Sequence, residues 1–136
     1  MMNGANDQFE MRVTAEASRV GDLRCAVVAF AREAGFDDTN AIALAVSEAI
    51  TNVVVHAYRD CEVGDLRVVA CDKPDRLVVV VRDYGSGMLP RADSPGLGLG
   101  LPLISTMADD LQIEAADGSG TLLRMHFMKT AAEQAA

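Results

Sequence analysis

Five consecutive large apolar residues, Leu77-Val-Val-Val-Val81, lie in the middle of this 136-residue chain. β-branched residues favour strands, and a strand that is apolar at every position needs cover on both of its faces. We therefore expect a central strand over 77–82. The turn Lys73-Pro74-Asp75 precedes it and predicts a hairpin with a strand over 66–72, because proline favours such turns.

Before this hairpin the chain has one strand pattern and two helix patterns. Apolar residues alternate over 9–13, which predicts a first strand. Apolar spacing over about 17–34 predicts a helix that Gly35 ends. Asp37, Asp38 and Thr39 then offer N-caps for a second helix, which continues toward Gly64.

After the central strand the pattern is loop, helix and hairpin. Residues 88–95 have no periodicity and contain two prolines, which indicates a short loop or lid. A helix is predicted over 98–107, and strands over 111–115 and 121–127 flank the turn Asp117-Gly-Ser-Gly120.

Strands and helices do not alternate strictly in this order. We therefore predict an α+β fold: a two-layer sandwich with a mixed, mainly antiparallel sheet and the helices on one face. The length allows one domain, which we assign to residues 9–128. Residues 1–8 and 129–136 are expected to be a flexible N-terminus and a flexible, frayed tail.

Composition narrows the classes of partner. The net charge of −8 argues against a nucleic-acid surface, since phosphate binding depends on clustered Lys and Arg. The sequence has no run of eighteen consecutive apolar residues, so we do not predict a membrane span. The three cysteines are odd in number and widely spaced, so we expect reduced thiols and a cytoplasmic location.

The second helix carries the first chemical candidates. Its core-facing set repeats at threes and fours, while Glu48, Asn52 and His56 form a ridge at i, i+4 and i+8 on its shoulder. A carboxylate such as Glu48 can accept a proton, and the amide oxygen of Asn52 is a hard ligand suited to Mg²⁺. The helix alone is equally compatible with an ordinary solvated Glu and Asn.

Three glycine groups follow this helix: Asp83-x-Gly85-x-Gly87, Gly98-x-Gly100 and Gly118-x-Gly120-Thr121. Each group alone is compatible with a turn or with tight packing. None forms a Rossmann or P-loop fingerprint. No Ser/His/Asp constellation can be assembled, so triad hydrolase chemistry is not predicted.

Taken in order after an E-x-x-x-N helix, these groups resemble the motifs of the ATP-binding (Bergerat) fold shared by gyrase-type ATPases, sensor histidine kinases and their relatives. The stretch Glu48-Ala-Ile-Thr-Asn52-Val-Val-Val-His56-Ala-Tyr58 resembles that of the bacterial anti-sigma-factor serine/threonine kinases in particular. The resemblance spans about residues 9–128.

This resemblance implies a set of site residues. Glu48 would match the general base, Asn52 the Mg²⁺ ligand, and Asp83 the aspartate that reads the adenine amine. Glycines would let the backbone approach the base and the phosphates, and a threonine would lie near adenine. These are Gly85, Gly87, Gly98, Gly100 and Thr121.

The resemblance also implies an activity and partners. The protein would use ATP and Mg²⁺ to phosphorylate a serine of an anti-anti-sigma antagonist, and would bind a sigma factor, commonly as a homodimer. Phosphorylating the antagonist would free the kinase to hold the sigma factor. The alternatives are a non-catalytic ATP-sensing module and a histidine-kinase-like catalytic domain.

Overall fold

The computed structural model describes residues 7–59, 61–85 and 101–135. Five strands and four α-helices lie in this part of the chain, with a 3-10 turn at Ala17–Arg19 and a π-helical segment at Val53–Ala57. The strands are β1 (Gln8–Thr14), β2 (Asp65–Asp72), β3 (Arg76–Asp83), β4 (Asp110–Ala115) and β5 (Thr121–Met128). The helices are α1 (Val20–Glu33), α2 (Asn40–Asn52), α3 (Leu101–Met107) and α4 (Ala131–Ala135).

The five strands form one sheet in the order β1-β2-β3-β5-β4. Every pairing among these strands is antiparallel, so the described part of the sheet has no parallel pair, although we had predicted a mixed sheet. The valine-rich strand β3 is the central strand, as predicted. The α+β prediction is confirmed.

One face of the sheet carries the core. Side chains of β2, β3 and β5 that point to this face are buried, and α1 and α2 supply the opposing apolar residues. Phe9 of β1 meets Phe30 of α1, with ring centroids 5.9 Å apart. The six positions predicted to form the core face of the second helix are buried: Ile42, Val46, Ala49, Ile50, Val53 and Ala57.

The opposite face of the sheet, which we call the open face, carries alternate residues of the same strands. Arg67 pairs with Glu10 at 2.7 Å, and Arg124 lies 3.3 Å from Glu114. Three buried nitrogens on this face, Arg76 Nε, Arg82 Nε and His126 Nε2, have no hydrogen-bond partner within the described ranges. Helices α1 and α2 pack on the other side of the sheet, and the open face carries both charged and apolar side chains.

Residues at the end of α1 and at the start of α2 follow the predicted capping chemistry, with the cap of α2 shifted by one residue. Gly35 has φ 106°, the left-handed conformation that glycine provides after a helix. The Asp38 carboxylate accepts a hydrogen bond from the Asn40 N–H at 2.9 Å, whereas Thr39, the residue at the cap position, makes no side-chain capping bond. Asp38 therefore fixes the start of α2.

The segment Asn40–Ala57 is 18 residues long with a mean hydropathy of 1.3, long and apolar enough to cross a membrane by those two measures. Its apolar positions pack in the hydrophobic core, and this packing accounts for the apolar composition of the segment without a membrane. We had predicted one continuous helix here. Instead α2 ends at Asn52 and the winding widens to a π-helix, where three successive β-branched valines begin.

The C-terminal segment differs from the frayed tail that we expected. Residues Ala131–Ala135 form a short helix, α4. The carboxylate of Glu133 accepts hydrogen bonds from Thr130 N–H at 2.8 Å and from Asp37 N–H at 2.9 Å. This buried side chain ties α4 to the connection between α1 and α2.

Candidate functional site

Asp83 is the last residue of β3 and points to the core face of the sheet, where it is fully buried. Its Oδ1 accepts a hydrogen bond from Gly85 N–H at 3.0 Å, and its Oδ2 accepts one from Thr121 N–H at 3.2 Å. Burial raises the pKa of this carboxyl, and the two backbone donors oppose the rise. The side chain is therefore held in one position by the loop that follows β3 and by the start of β5.

Thr121 begins β5 directly beside Asp83 and is 1% exposed. The preceding residue, Gly120, has φ 94°, and a Cβ placed there would lie 2.0 Å from the Asp83 carbonyl oxygen. The left-handed backbone conformation and the close contact with Asp83 therefore both exclude a side chain at residue 120. The structure thus brings together the aspartate of the first glycine group and the threonine of the third.

Gly85 lies against the end of the second helical segment. A Cβ at Gly85 would be 2.3 Å from the Ala57 carbonyl oxygen and 2.7 Å from Tyr58 Cδ1. The absence of a side chain thus lets the loop after β3 pack against residues 57 and 58. We predicted that Gly85 lets the backbone approach adenine, and that role stays a prediction.

Tyr58 closes this corner, and sequence reasoning gave it no role. Its hydroxyl donates to the Asp65 carbonyl oxygen and accepts a hydrogen bond from Tyr84 N–H at 2.9 Å. Burial is the main cause that raises the pKa of the phenol, which keeps it neutral and able to do both. Its position at the end of the Glu48–Tyr58 stretch was the only sequence signal for a role at the site. Its hydrogen-bond partners could not be predicted, because they lie in other elements.

Glu48 and Asn52 occupy successive turns of α2. Glu48 is half-buried, whereas Asn52 is only 4% exposed, so the ridge predicted on the shoulder of the helix is buried at its second member. His56, the third member, is half-buried in the π-helical segment, and burial, followed by the charge of Arg59, lowers its pKa. A neutral histidine suits the packing role that we expected.

The donor set around α2 is compatible with magnesium that arrives together with a nucleotide. Within 7–59, 61–85 and 101–135, no cluster of three or more His, Cys, Asp or Glu side chains could hold a metal by itself. Mg²⁺ is commonly bound through one or two protein oxygens plus substrate phosphates, and an amide oxygen such as that of Asn52 fits this pattern. Asn52 would then hold the ion from the protein side.

The remaining predicted site residues, Gly87, Gly98 and Gly100, lie outside the described residues, as does the predicted lid. The helix predicted over 98–107, with Gly98 and Gly100 in its first turn, is described from Leu101, as α3, and it packs against α2. The N-terminal end of α3 therefore belongs to the same layer as Glu48 and Asn52. Binding of phosphates by these glycines stays a prediction.

Comparison with known proteins supplies the family. The family model described as "Histidine kinase-like ATPase domain" matches residues 13–127. The chain belongs to this family.

Relatives within the histidine kinase-like ATPase family extend over nearly the whole chain. Proteins named Serine-protein kinase RsbW from Bacillus cereus (strain AH187) and Bacillus mycoides (strain KBAB4) are each 32% identical to it over 144 aligned residues. These alignments cover 93% of this chain and 89% of each relative. The family-level resemblance drawn from the motifs is therefore confirmed.

Proposed function

We propose that this protein is an ATP-dependent protein serine kinase. The observation that carries the proposal is the pair Glu48 and Asn52 on α2, one turn apart, in a chain that is 32% identical to proteins named serine-protein kinases. A module that only sensed ATP would have no use for a general base at Glu48. A kinase would use Glu48 as the general base and Asn52 as the magnesium ligand.

The adenine end of the proposed site is Asp83. A carboxyl oxygen accepts a hydrogen bond from an amine, and the exocyclic amine of adenine is such a donor, whereas guanine has a carbonyl at that position. Because Asp83 is buried and held by Gly85 and Thr121, it cannot turn away from a wrong base. We infer that the site prefers ATP to GTP.

The transfer step follows from these positions. The oxygen of a substrate serine attacks the γ-phosphorus of ATP, a new P–O bond forms, and the bond between that phosphorus and the β–γ bridging oxygen breaks, which releases ADP. Glu48 takes the serine proton. Mg²⁺, when bound, would supply neutralisation of phosphate charge, and Asn52 would hold it.

The proposed substrate is an anti-anti-sigma antagonist, and the proposed second partner is a sigma factor. Phosphorylation of the antagonist would leave the kinase free to bind the sigma factor, so that ATP consumption sets sigma-factor availability in the cytoplasm. Support comes from the motif resemblance and from the relatives' name. The reduced cysteines agree with this location, since Cys25, Cys61 and Cys71 are all free thiols.

We also propose a homodimer that forms through the open face. Helices α1 and α2 pack on the opposite side of the sheet, so in the described part of the chain they leave this face uncovered. The face carries paired charges of both signs, such as Arg67 with Glu10, in a chain whose net charge is −8. Two copies would therefore repel each other less here than through their acidic surfaces.

Glu48→Gln tests the kinase proposal because it removes the base and keeps the size of the side chain. Positioned general bases contribute about 10²–10⁴-fold, so phosphotransfer from γ-labelled ATP to antagonists encoded beside the protein should fall by about that factor. ATP affinity and sigma-factor binding should change little. The measurement is the rate of labelling with saturating ATP.

Glu33→Gln at the exposed end of α1 is the matched control, and it should label the antagonist at the native rate. If Glu48→Gln transfers phosphate as fast as the native protein, Glu48 is not the base. If the native protein binds ATP tightly and never labels any candidate partner, the protein is an ATP sensor and not a kinase.

A further inference from the structure

The hydroxyl of Tyr58 connects three parts of the chain beside the proposed adenine site. It lies just after the π-helical segment, accepts the N–H of Tyr84, which directly follows Asp83, and donates to the Asp65 carbonyl at the start of β2. The end of the second helical segment is thus hydrogen-bonded to the strand end that carries Asp83.

The chain is built tightly around the Tyr58 ring. A Cβ at Gly64 would lie 2.7 Å from Tyr58 Cε1, and a Cβ at Gly85 would lie 2.7 Å from Tyr58 Cδ1. Both distances are far below a normal contact between carbon atoms. The ring therefore fills the space between the two glycine backbones, and its hydroxyl cannot move without moving one of them.

Successive peptide groups after Asp83 are fixed by different partners. The N–H of Tyr84 bonds to the Tyr58 hydroxyl at 2.9 Å, and the N–H of Gly85 bonds to the Asp83 carboxylate at 3.0 Å. If the first bond is lost, the N–H of the peptide between Asp83 and Tyr84 loses its acceptor and this peptide can shift. The Asp83 carboxylate then keeps its bond from Thr121 N–H, but its other donor, Gly85 N–H, lies in a loop that has lost one anchor.

We propose that Tyr58 is a positioning residue for the nucleotide base: its hydroxyl holds the Asp83–Gly85 backbone so that the Asp83 carboxyl meets the adenine amine. Tyr58 does not touch the nucleotide in this role. The inference rests on the proposed ATP site, and it assigns base discrimination to a residue outside the motif that carries Asp83. Binding of the phosphates is independent of it.

Tyr58→Phe is the test, because it removes the hydroxyl and keeps the ring between the two glycines. Binding of ATP and of inosine triphosphate, which has a carbonyl in place of the adenine amine, is measured by calorimetry. We expect ATP affinity to fall by about tenfold and inosine triphosphate affinity by less than about twofold. The preference for ATP should therefore fall by about fivefold or more.

Thr130→Val is the matched control, since it also deletes a hydroxyl that accepts a backbone hydrogen bond, from Glu133 N–H at 3.1 Å, but far from Asp83. Both variants should melt at a lower temperature than the native protein, and only Tyr58→Phe should lose base preference. An unchanged preference in Tyr58→Phe, or an equal loss in Thr130→Val, would overturn the inference.

The inference and the proposed kinase function fail in different ways. A native protein that prefers ATP, loses this preference in Tyr58→Phe and labels no partner would contradict the kinase while supporting the role of Tyr58. A native protein that labels its partner and keeps its base preference without the hydroxyl would contradict only the role of Tyr58. Absence of nucleotide binding by the native protein would overturn both.

Discussion

The turn between β4 and β5 contains two glycines that share a backbone conformation and differ in their surroundings. Gly118 has φ 85° and open space where a Cβ would be, whereas Gly120 has φ 94° and would place a Cβ 2.0 Å from the Asp83 carbonyl oxygen. A left-handed conformation costs a non-glycine residue about 1–2 kcal/mol. The pair therefore separates the conformational cost of a side chain from the cost of its contacts.

We expect Gly118→Ala to lower the free energy of unfolding by about 1 kcal/mol and to leave ATP affinity unchanged. Gly120→Ala should cost about 1–3 kcal/mol more, because the added methyl group must displace backbone at Asp83. It should also weaken ATP binding. Denaturant unfolding and calorimetry measure the two effects, and equal unfolding free energies for the two variants would contradict the steric argument.

The site residues could be predicted from the sequence where they belong to a motif. The contacts that these residues make with other elements could not be predicted. The order of Glu48, Asn52, Asp83 and Thr121 was enough to expect one site, and the structure brings Asp83 and Thr121 into hydrogen-bond contact. The reason for Gly85 was not predictable, because it depends on the Ala57 carbonyl and the Tyr58 ring, which belong to another element. Such contacts follow from three-dimensional packing and leave no periodic signal.

At the scale of elements, the helices and strands with a clear apolar period were predicted within a few residues, and the short helix α4 was not. Its sequence, Ala131-Ala-Glu-Gln-Ala135, has no apolar period. What holds it is the Glu133 carboxylate, which bonds to the backbone of Asp37, 96 residues away. The reciprocal bonds between Thr130 and Glu133 form a Thr-x-x-Glu capping box, a local helix-start signal that our sequence reasoning missed. The bond to Asp37 has no local signal, because its partner is distant in sequence.

The pKa of Glu133 is lowered by the hydrogen bonds from Thr130 and then from Asp37. A depressed pKa in the folded state means that the carboxylate stabilises the protein above its ordinary value of 4.5, and that this stabilisation is lost as the pH falls through the lower, folded-state value. Glu133→Gln keeps only one acceptor oxygen. It should therefore reduce the free energy of unfolding at pH 7 by about 1 kcal/mol.

The difference between native protein and Glu133→Gln should shrink progressively below pH 4.5. Denaturant unfolding at a series of pH values from neutral to acidic measures it. Gln134, the next residue of α4, is exposed, so Gln134→Ala provides a variant in the same helix that should show no such pH dependence. A difference that stays constant down to acidic pH would contradict the role of the carboxylate.

At the scale of the whole molecule, nucleotide binding should stabilise the fold, because the proposed site joins the helical layer and the sheet. A ligand at 100 times its dissociation constant raises the free energy of unfolding by about 2.7 kcal/mol. We expect this increase with ATP and Mg²⁺ together, and a smaller one with ATP and EDTA. Thermal unfolding measures both, and equal shifts would remove Asn52 from its proposed role as a magnesium ligand.

The proposed homodimer predicts a specific sensitivity of the open face. Val80, half-buried at its centre, and Val55, 55% exposed on the helical side, offer matched positions for lysine. Sedimentation at several micromolar concentrations should give the mass of two chains for the native protein and for Val55→Lys, and of one chain for Val80→Lys. A native protein that sediments as one chain throughout would refute the dimer.

The sequence contains two tyrosines and no tryptophan. The Tyr58 hydroxyl bonds to the backbone of Tyr84. The guanidinium groups of Arg12 and Arg82 lie over the Tyr84 ring, 4.3 and 4.5 Å from its centroid. Tyr84 directly follows Asp83 in sequence, and Tyr58, the other fluorescent side chain, is hydrogen-bonded to Tyr84. The protein carries its own optical probe at the proposed adenine site, so nucleotide binding can be followed by ultraviolet emission without a label.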